Sequence, residues 1–202
     1  MVKQQAIQKL ELYKKAIEYY DKAIELNPNY SEAYNNRGNS KNNLYDIANN
    51  IAYLEEAIED FNKSIELNSN NSVAYNNRGN SKNYQGKYDE AIEDYNKAIE
   101  LNPNYSEAYN NRGNSKNYQG KYDEAIEDYN KAIELNPNYL EAYFNRGNTK
   151  ALQGKYDEAI EDYNKAIELN PNYSNAYFNR GTSKSLLLKM KDKTSEEYKK
   201  SF

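Results

Sequence analysis

The sequence contains no cysteine, no histidine and no tryptophan, and only four prolines and eight glycines among 202 residues. Without cysteine or histidine there is no thiol chemistry, no disulfide, no imidazole base for a serine nucleophile and no usual zinc site. The missing cysteines also leave the redox compartment unread. Long apolar runs are lacking: no segment approaches the roughly 20 apolar residues that span a bilayer. Residues 1–30 carry Lys, Gln, Glu and Asp throughout, without the apolar stretch of a signal peptide. A cytoplasmic location is expected. A cationic excess is lacking too, with 27 Lys and Arg against 31 Asp and Glu and a formal charge of −4. Nucleic acid and anionic membrane both demand a basic footprint, so neither is expected as a partner.

Aliphatic residues are scarce as well. Leu, Ile, Val and Phe supply 33 of the 202 residues, a fraction met in disordered chains when net charge is high. Here net charge is small, and 23 tyrosines and many alanines occupy strict positions. Order therefore depends on placement rather than amount.

That placement is a repeat. Residues Ala74 to Tyr105 are identical to Ala108 to Tyr139, an offset of 34. The Asn-Arg-Gly triplet recurs with its glycine at Gly38, Gly79, Gly113, Gly147 and Gly181, at intervals of 41, 34, 34 and 34. The array thus has a period of 34 residues and one insertion of seven. Within one unit, Ser106 to Gln119 carries Ala108, Tyr109, Gly113 and Tyr118 at helical spacing, with Ser106 as N-cap and Gly120 as terminator. Tyr122 to Leu135 then places Tyr122, Ala125, Ile126, Tyr129, Ala132 and Ile133 at i, i+3, i+4, i+7 spacing. Its first turn is acidic, and Asn136 before Pro137 is biased out of the helical region. Each unit is a helix hairpin too small to bury its own apolar face, and stacked neighbours bury it.

These residues resemble the tetratricopeptide repeat family. Its marks are Gly113, Gly120, Tyr122, Ala125, Tyr129, Ala132 and Pro137. They recur as Gly79, Gly86, Tyr88, Ala91, Tyr95, Ala98 and Pro103, and as Gly147, Gly154, Tyr156, Ala159, Tyr163, Ala166 and Pro171. The resemblance implies an all-α fold, a right-handed α-solenoid of antiparallel helix hairpins. The chain reads as one array: a partial repeat with a long N-terminal helix over 1–30, a repeat with the insertion over 31–71, repeats over 72–105, 106–139 and 140–173, and a partial repeat with a C-terminal capping helix over 174–202. Two positions depart from the family. Arg112 stands where a large apolar residue is usual and Lys116 where an aromatic is usual. The arginine recurs as Arg37, Arg78, Arg146 and Arg180. Their stems are expected to pack between helices, each guanidinium paired with a nearby acid.

The ends and the insertion are irregular. Residues 3–26 contain no glycine or proline, and Ala16, Tyr20, Ala23 and Pro28 match a second helix whose first-helix partner is missing. Such a helix either caps the array or docks on another copy. Ile47, Ile51, Leu54, Ile58, Phe61 and Ile65 form a continuous stripe, which predicts that the insertion lengthens the second helix, with Asp46 as its N-cap. Thr194 and Glu197 have capping-box spacing and predict a separate short helix at the C-terminus.

Catalysis finds little support. Carboxylates such as Glu127 and Asp128 read as a solvated acidic face, and no glycine-rich loop cradles phosphate. No catalytic residue, metal ligand or cofactor is assigned. The first-helix face is the better candidate, because in the resembled family it lines a concave groove that binds extended peptides. Asn36, Asn77, Asn111, Asn145 and Asn179 lie there, one per repeat. Asn39, Asn80, Asn114 and Asn148 lie one turn on, with Thr182 ending that row. Asparagine is a poor helix former, yet its amide offers a donor and an acceptor to a peptide main chain. First helices about 10 Å apart match three extended residues of about 10 Å. The row resembles the asparagine ladder in the tetratricopeptide superhelix of the glycosyltransferase that adds N-acetylglucosamine to proteins. Coding bias and inheritance from a duplicated unit are two other origins of the same row.

The face grows more apolar towards the C-terminus. Asn76 and Asn110 give way to Phe144 and Phe178, and Tyr84 and Tyr118 to Leu152 and Leu186. These positions either hold hydrophobic anchors or pack against the terminal helix. The family's carboxylate clamp for acidic tails needs cations where Asn35, Asn76 and Glu107 or Glu141 stand, so a Glu-Glu-Val-Asp tail is not an expected ligand. The expected function is a non-catalytic scaffold for a protein or peptide partner. Self-assembly into a homo-oligomer through the terminal helices is the alternative.

Overall fold

The computed structural model describes residues 2–200, with side chains over 5–192. The described residues form helices and turns, with no strand. In chain order the helices are α1 (Val2–Leu26), α2 (Ser31–Ala48), α3 (Ala52–Leu67), α4 (Ser72–Tyr84), α5 (Tyr88–Leu101), α6 (Ser106–Tyr118), α7 (Tyr122–Leu135), α8 (Leu140–Leu152), α9 (Tyr156–Leu169) and α10 (Ser174–Lys200). Two compact units divide the chain, Met1–Ala108 and Tyr109–Phe202. In the first, α1 packs on α2, α2 on α3, α3 on α4 and α4 on α5; in the second, α7 packs on α8, α8 on α9 and α9 on α10.

Short-range chemistry sets the helix limits. Gly86, Gly120 and Gly154 close the first helices of three hairpins at φ +74°, +74° and +76°, a region open to glycine. After each, a lysine N–H returns to a carbonyl five residues back: Lys87 to Lys82, Lys121 to Lys116 and Lys155 to Lys150, at 2.9–3.0 Å. This geometry satisfies carbonyls the helix end would otherwise leave unpaired. The second helices begin with acids, Asp89 and Glu90 or their equivalents, which favour the positive helix end. They stop at Asn102, Asn136 and Asn170. In each turn the asparagine Oδ1 accepts the N–H two residues on, at 3.2, 3.2 and 3.0 Å.

First helices start one residue earlier than an N-cap at Ser106 implies. Ser106 is the first residue of α6 rather than its N-cap, and Ser31 likewise opens α2. The Ser31 hydroxyl instead donates to the Ser64 carbonyl at 3.0 Å, tying the start of α2 to the end of α3.

The core is thin and exact in shape. Ala91, Ala98, Ala125, Ala132, Ala159 and Ala166 are fully buried, and Tyr95, Tyr129, Tyr163 and Phe61 fill the space between helices. Each of these rings lies against a glycine of the preceding helix. A Cβ on Gly38, Gly79, Gly113 or Gly147 would sit 2.7–2.9 Å from a ring carbon, so a side chain there displaces the ring.

Two expectations about the irregular parts need correction. The insertion lengthens both helices of its hairpin. α2 has 18 residues where α4 has 13, and α3 has 16 where α5 has 14. Asp46 is therefore inside α2 and caps nothing. The helix ends because Asn49 adopts the left-handed conformation at φ 49°, the role glycine has in the other hairpins. Ile51, expected within a helix, sits in the turn and is half exposed, and Asn50 Oδ1 accepts the Ala52 N–H at 3.1 Å. At the C-terminus, α10 runs unbroken from Ser174 to Lys200. No glycine or proline follows Gly181 to stop it. The Thr194 and Glu197 side chains lie outside the described residues.

Candidate functional site

Four of the five recurring arginines have the expected acid partners; among the described residues Arg180 has none and donates to Asn164 at 2.9 Å instead. Arg78 Nη2 donates to Asp94 at 2.5 Å, Arg112 Nη2 to Asp128 at 2.5 Å and Arg146 Nη2 to Asp162 at 2.6 Å. Arg37 does the same with Asp60 and reaches Asp21 at 2.7 Å. These carboxylates hold the Arg37 guanidinium charged well beyond its ordinary range. A lysine one turn on adds a second cation to each acid: Lys41, Lys82, Lys116 and Lys150 lie 2.9 Å from the same four aspartates. Each arginine also lies over a tyrosine ring one turn earlier, as Arg78 does over Tyr75 at 5.4 Å. Asp128 is thus buried and doubly paired, not part of a solvated face. A helical wheel puts acids outside because it cannot see a cation arriving from the neighbouring helix. The readable signal is the recurring set of Arg, Lys four residues on and Asp 16 residues on, or 23 across the insertion.

Most of the asparagines bond the preceding repeat or the second helix of their own repeat. In the first row, Asn77 Nδ2 donates to Asn35 at 3.2 Å, Asn145 Nδ2 to Asn110 at 3.1 Å and Asn179 Nδ2 to Asn148 at 2.8 Å. Asn36 and Asn111 accept from their neighbours Asn35 and Asn110 at 3.2 and 3.3 Å. In the second row, Asn80, Asn114 and Asn148 each accept a buried tyrosine hydroxyl, from Tyr95, Tyr129 and Tyr163, at 2.8, 2.9 and 2.9 Å. Asn39 is exposed, and the residue equivalent to those tyrosines in its hairpin is Phe61, which has no hydroxyl to donate. A second seam joins successive first helices: Ser81 donates to Asn42 at 2.8 Å and Thr149 to Asn117 at 2.9 Å. Sequence reading did not single out Asn42, Asn117, Ser81 or Thr149. Their signal is the small hydroxyl residue recurring as Ser81, Ser115, Thr149 and Ser183.

These bonds divide the remaining hydrogen-bonding capacity. Among the described residues, Oδ1 of Asn77 and Asn145 has no partner, and neither has Nδ2 of Asn114 and Asn148. Asn77 and Asn145 of the first row thus offer acceptors, and Asn114 and Asn148 of the second offer donors. Burial pushes the Tyr163 hydroxyl up to about 12, and the Tyr129 hydroxyl higher still, so both remain donors at neutral pH.

In the unit Tyr109–Phe202 these groups line two cavities that share Asn148. The smaller, about 170 Å³, lies among Asn114, Asn117, Tyr118, Tyr129, Asn145 and Asn148. The larger, about 360 Å³, includes Asn148, Leu152, Tyr156, Tyr163, Asn179 and Leu186. Tyr118 and Leu152 are more than half exposed. Tyr84, in the other unit, stacks on Tyr45 at 5.3 Å. Phe144 does not open onto either cavity's lining. It packs on Tyr173 and Tyr163 at 4.9 and 6.0 Å. Phe178 is 74% exposed. Among the described residues no cluster of acids has the arrangement to hold a metal ion, and no helix is long and apolar enough to cross a membrane.

Antiparallel hairpins joined by glycine turns, with a small residue facing each ring, define an all-α repeat protein of the α-solenoid class. The chain belongs to the tetratricopeptide repeat family. Sequence models described as TPR repeat match residues 9–42 and 113–154, and others described as tetratricopeptide repeat match 72–105 and 140–173, 94–127 and 162–196, and 42–71. No curated protein matches the chain. Among solved structures, the crystal structure of MamA is 28% identical, covers 81% of this chain and 91% of its own, and superposes with a TM-score of 0.66. The first TPR of Spaghetti (RPAP3), solved bound to the HSP90 peptide SRMEEVD, is 32% identical over 58% of this chain and 93% of its own, with a TM-score of 0.57. The first TPR domain of human RPAP3 is 31% identical over 60% and 95%, with a TM-score of 0.58. The family and a peptide-bound neighbour support a protein-interaction scaffold.

Proposed function

We propose that the first-helix face of the unit Tyr109–Phe202 binds an extended peptide main chain and seats one apolar side chain. The carrying observation is the division of labour between the asparagine rows beside two adjoining cavities. A peptide N–H meets the Asn145 Oδ1, and a peptide carbonyl meets Nδ2 of Asn114 or Asn148. Main chain is read without regard to sequence, as amide pairs do. Selectivity comes from the cavity of about 360 Å³ beside Leu152 and Leu186, which takes an aliphatic side chain. In the first unit Asn36, Asn39, Asn77 and Asn80 extend the same reading, and the role is non-catalytic.

An acidic tail is a poor fit here. Arg78, Arg112, Arg146 and their lysine neighbours are committed to buried aspartates. Asn35 and Asn76 are buried on the face itself. The peptide SRMEEVD is therefore expected to show no binding, although the RPAP3 domain was solved with it.

Peptide display on the whole chain, counter-selected on Leu152→Glu and Tyr118→Ala variants, tests the proposal. Both residues are exposed, so folding should survive. Enriched peptides should share an extended pattern with one aliphatic anchor and lose binding to both variants. Equal enrichment on the variants would show that this face is not the site. The alternative, self-assembly through the terminal helices, rests on exposed Leu12 and Tyr19 of α1 and exposed Leu188 and Met190 of α10.

A further inference from the structure

α10 presents a receptor for a helix that the described residues do not supply. The four earlier first helices show what such a receptor holds. On α2, α4, α6 and α8 a glycine lies against an aromatic ring of the following helix. The neighbouring arginine and the next-turn lysine both bind the aspartate immediately before that ring. The bound helices share one pattern: small residue, two positions, Asp, aromatic, two positions, small residue. It reads Ala57-Asp60-Phe61-Ser64, Ala91-Asp94-Tyr95-Ala98, Ala125-Asp128-Tyr129-Ala132 and Ala159-Asp162-Tyr163-Ala166.

α10 repeats the receptor side of this arrangement as Arg180, Gly181 and Lys184. Here, among the described residues, no atom comes within 4 Å of a Cβ built on Gly181. Among the described residues, Arg180 meets only Asn164 at 2.9 Å and the Tyr177 ring at 5.1 Å, and Lys184 has no acid partner. An open groove of about 560 Å³ runs along the face, lined by Tyr177, Phe178, Gly181, Ser185 and Leu186 among others. Phe178 is exposed, whereas its equivalent Phe144 packs on the Tyr163 ring at 6.0 Å. Among the described residues the ring and the acid are missing together.

We infer that this face docks an amphipathic α-helix of a partner protein carrying an acid followed directly by an aromatic residue, with small residues three before the acid and four after it. The inference does not depend on the peptide reading. A second copy of this chain is the poorer occupant. Its exposed second-helix element is α1, which aligns with α7 but has Tyr19 at the place of Asp128, and Lys14 and Lys15 at the places of Asp123 and Glu124. Glu124 lies 3.7 Å from Lys116, so in the docked copy Lys15 would meet Lys184. The chain's own tail has the pattern Thr194-Glu197-Tyr198-Ser201, but the backbone of α10 continues in line to Lys200 rather than returning.

The probe is a peptide of the sequence at residues 156–169, held helical by a hydrocarbon staple replacing the exposed positions of Asp157 and Glu161. It is titrated against the whole chain by calorimetry. One-to-one binding is expected. Arg180→Glu in the chain, or lysine at the peptide position of Asp162, should each weaken it at least tenfold, and the two changes together should recover it. Gly181→Leu should block binding without changing the melting temperature. No binding, or binding indifferent to Arg180→Glu and Gly181→Leu, overturns the inference. Binding that emerges only in a Glu197→Ala/Tyr198→Ala chain assigns the face to the chain's own tail. Sedimentation that rises with concentration and is abolished by Arg180→Glu assigns it to a second copy. Either result also overturns the partner helix.

Discussion

At the scale of single residues, the interior is organised by polar groups whose partners are far away in sequence. Tyr163 is fully buried, and its hydroxyl donates to Asn148 at 2.9 Å. Burial raises its titration from 10.0 to about 12. The sign follows from the direction of that shift. Between those values the unfolded chain has lost the phenol proton while the folded chain retains it, so stability falls as pH rises. Below about pH 10 the contribution is fully present; above about 12 it is gone. Tyr129 adds to the same loss, because burial raises it too. Denaturant unfolding from pH 8 to 12 should show a plateau and then a steep decline. In Tyr163→Phe the decline should be shallower, and the plateau lower by about 1 kcal/mol for the lost hydrogen bond. Phe61, which holds the same position against Gly38, shows that the ring alone packs there. An unchanged alkaline slope in the variant would mean the Tyr163 hydroxyl is not held as described.

At the scale of helices and turns, the regular hairpins were legible and the irregular one was not. Ala125, Tyr129 and Ala132 declare their buried face by spacing alone, and Gly120 and Pro137 mark the ends. The stripe from Ile47 to Ile65 keeps its spacing straight across the turn at Asn49, so periodicity reports one helix where there are two. Backbone conformation, not hydrophobicity, decides that boundary. The roles of the asparagines were hidden for another reason. Their positions on the first helices follow from the repeat, but Asn145 bonds Asn110 and Thr149 bonds Asn117, partners 35 and 32 residues away. No local pattern reports such a bond. The turn makes its own prediction. Asn49 at φ 49° bears a left-handed conformation that glycine adopts without a steric cost. Asn49→Gly should stabilise the chain by a few tenths to about 1 kcal/mol, and Asn49→Val should destabilise it by about 1–2 kcal/mol. Thermal melts of the pair check this. If both variants melt alike, α2 does not end at this residue.

At the scale of the whole molecule, stability in a repeat array is a sum of unit terms and nearest-neighbour terms, so an element with one neighbour is the first to open. α1 is such an element. Among the described residues it packs on α2 alone, and none of its side chains is fully buried. Leu12, Tyr19 and Leu26 are 67%, 65% and 75% exposed. A cross-helix ion pair of α1, Asp21 with Arg37, is half exposed on the acid side, and such pairs contribute roughly 0–1 kcal/mol. By contrast α7 buries Ala125, Tyr129 and Ala132 and holds Arg112 and Lys116 through Asp128. Amide exchange at neutral pH and low concentration should therefore be at least tenfold faster over residues 5–26 than over Tyr122–Leu135, a difference of about 1.4 kcal/mol in opening free energy. Concentration then separates the two readings of this helix. A cap has the same exchange rate at any concentration. A docking element becomes protected as copies associate, because binding to the closed form slows opening by mass action. The charge pattern of α1, with Lys14 and Lys15 at the places of the acids in α7, argues for the cap, so the rates over residues 5–26 should not change on a hundredfold increase in concentration. Protection that grows with concentration would instead make α1 an assembly surface and its lysines the residues that choose the partner.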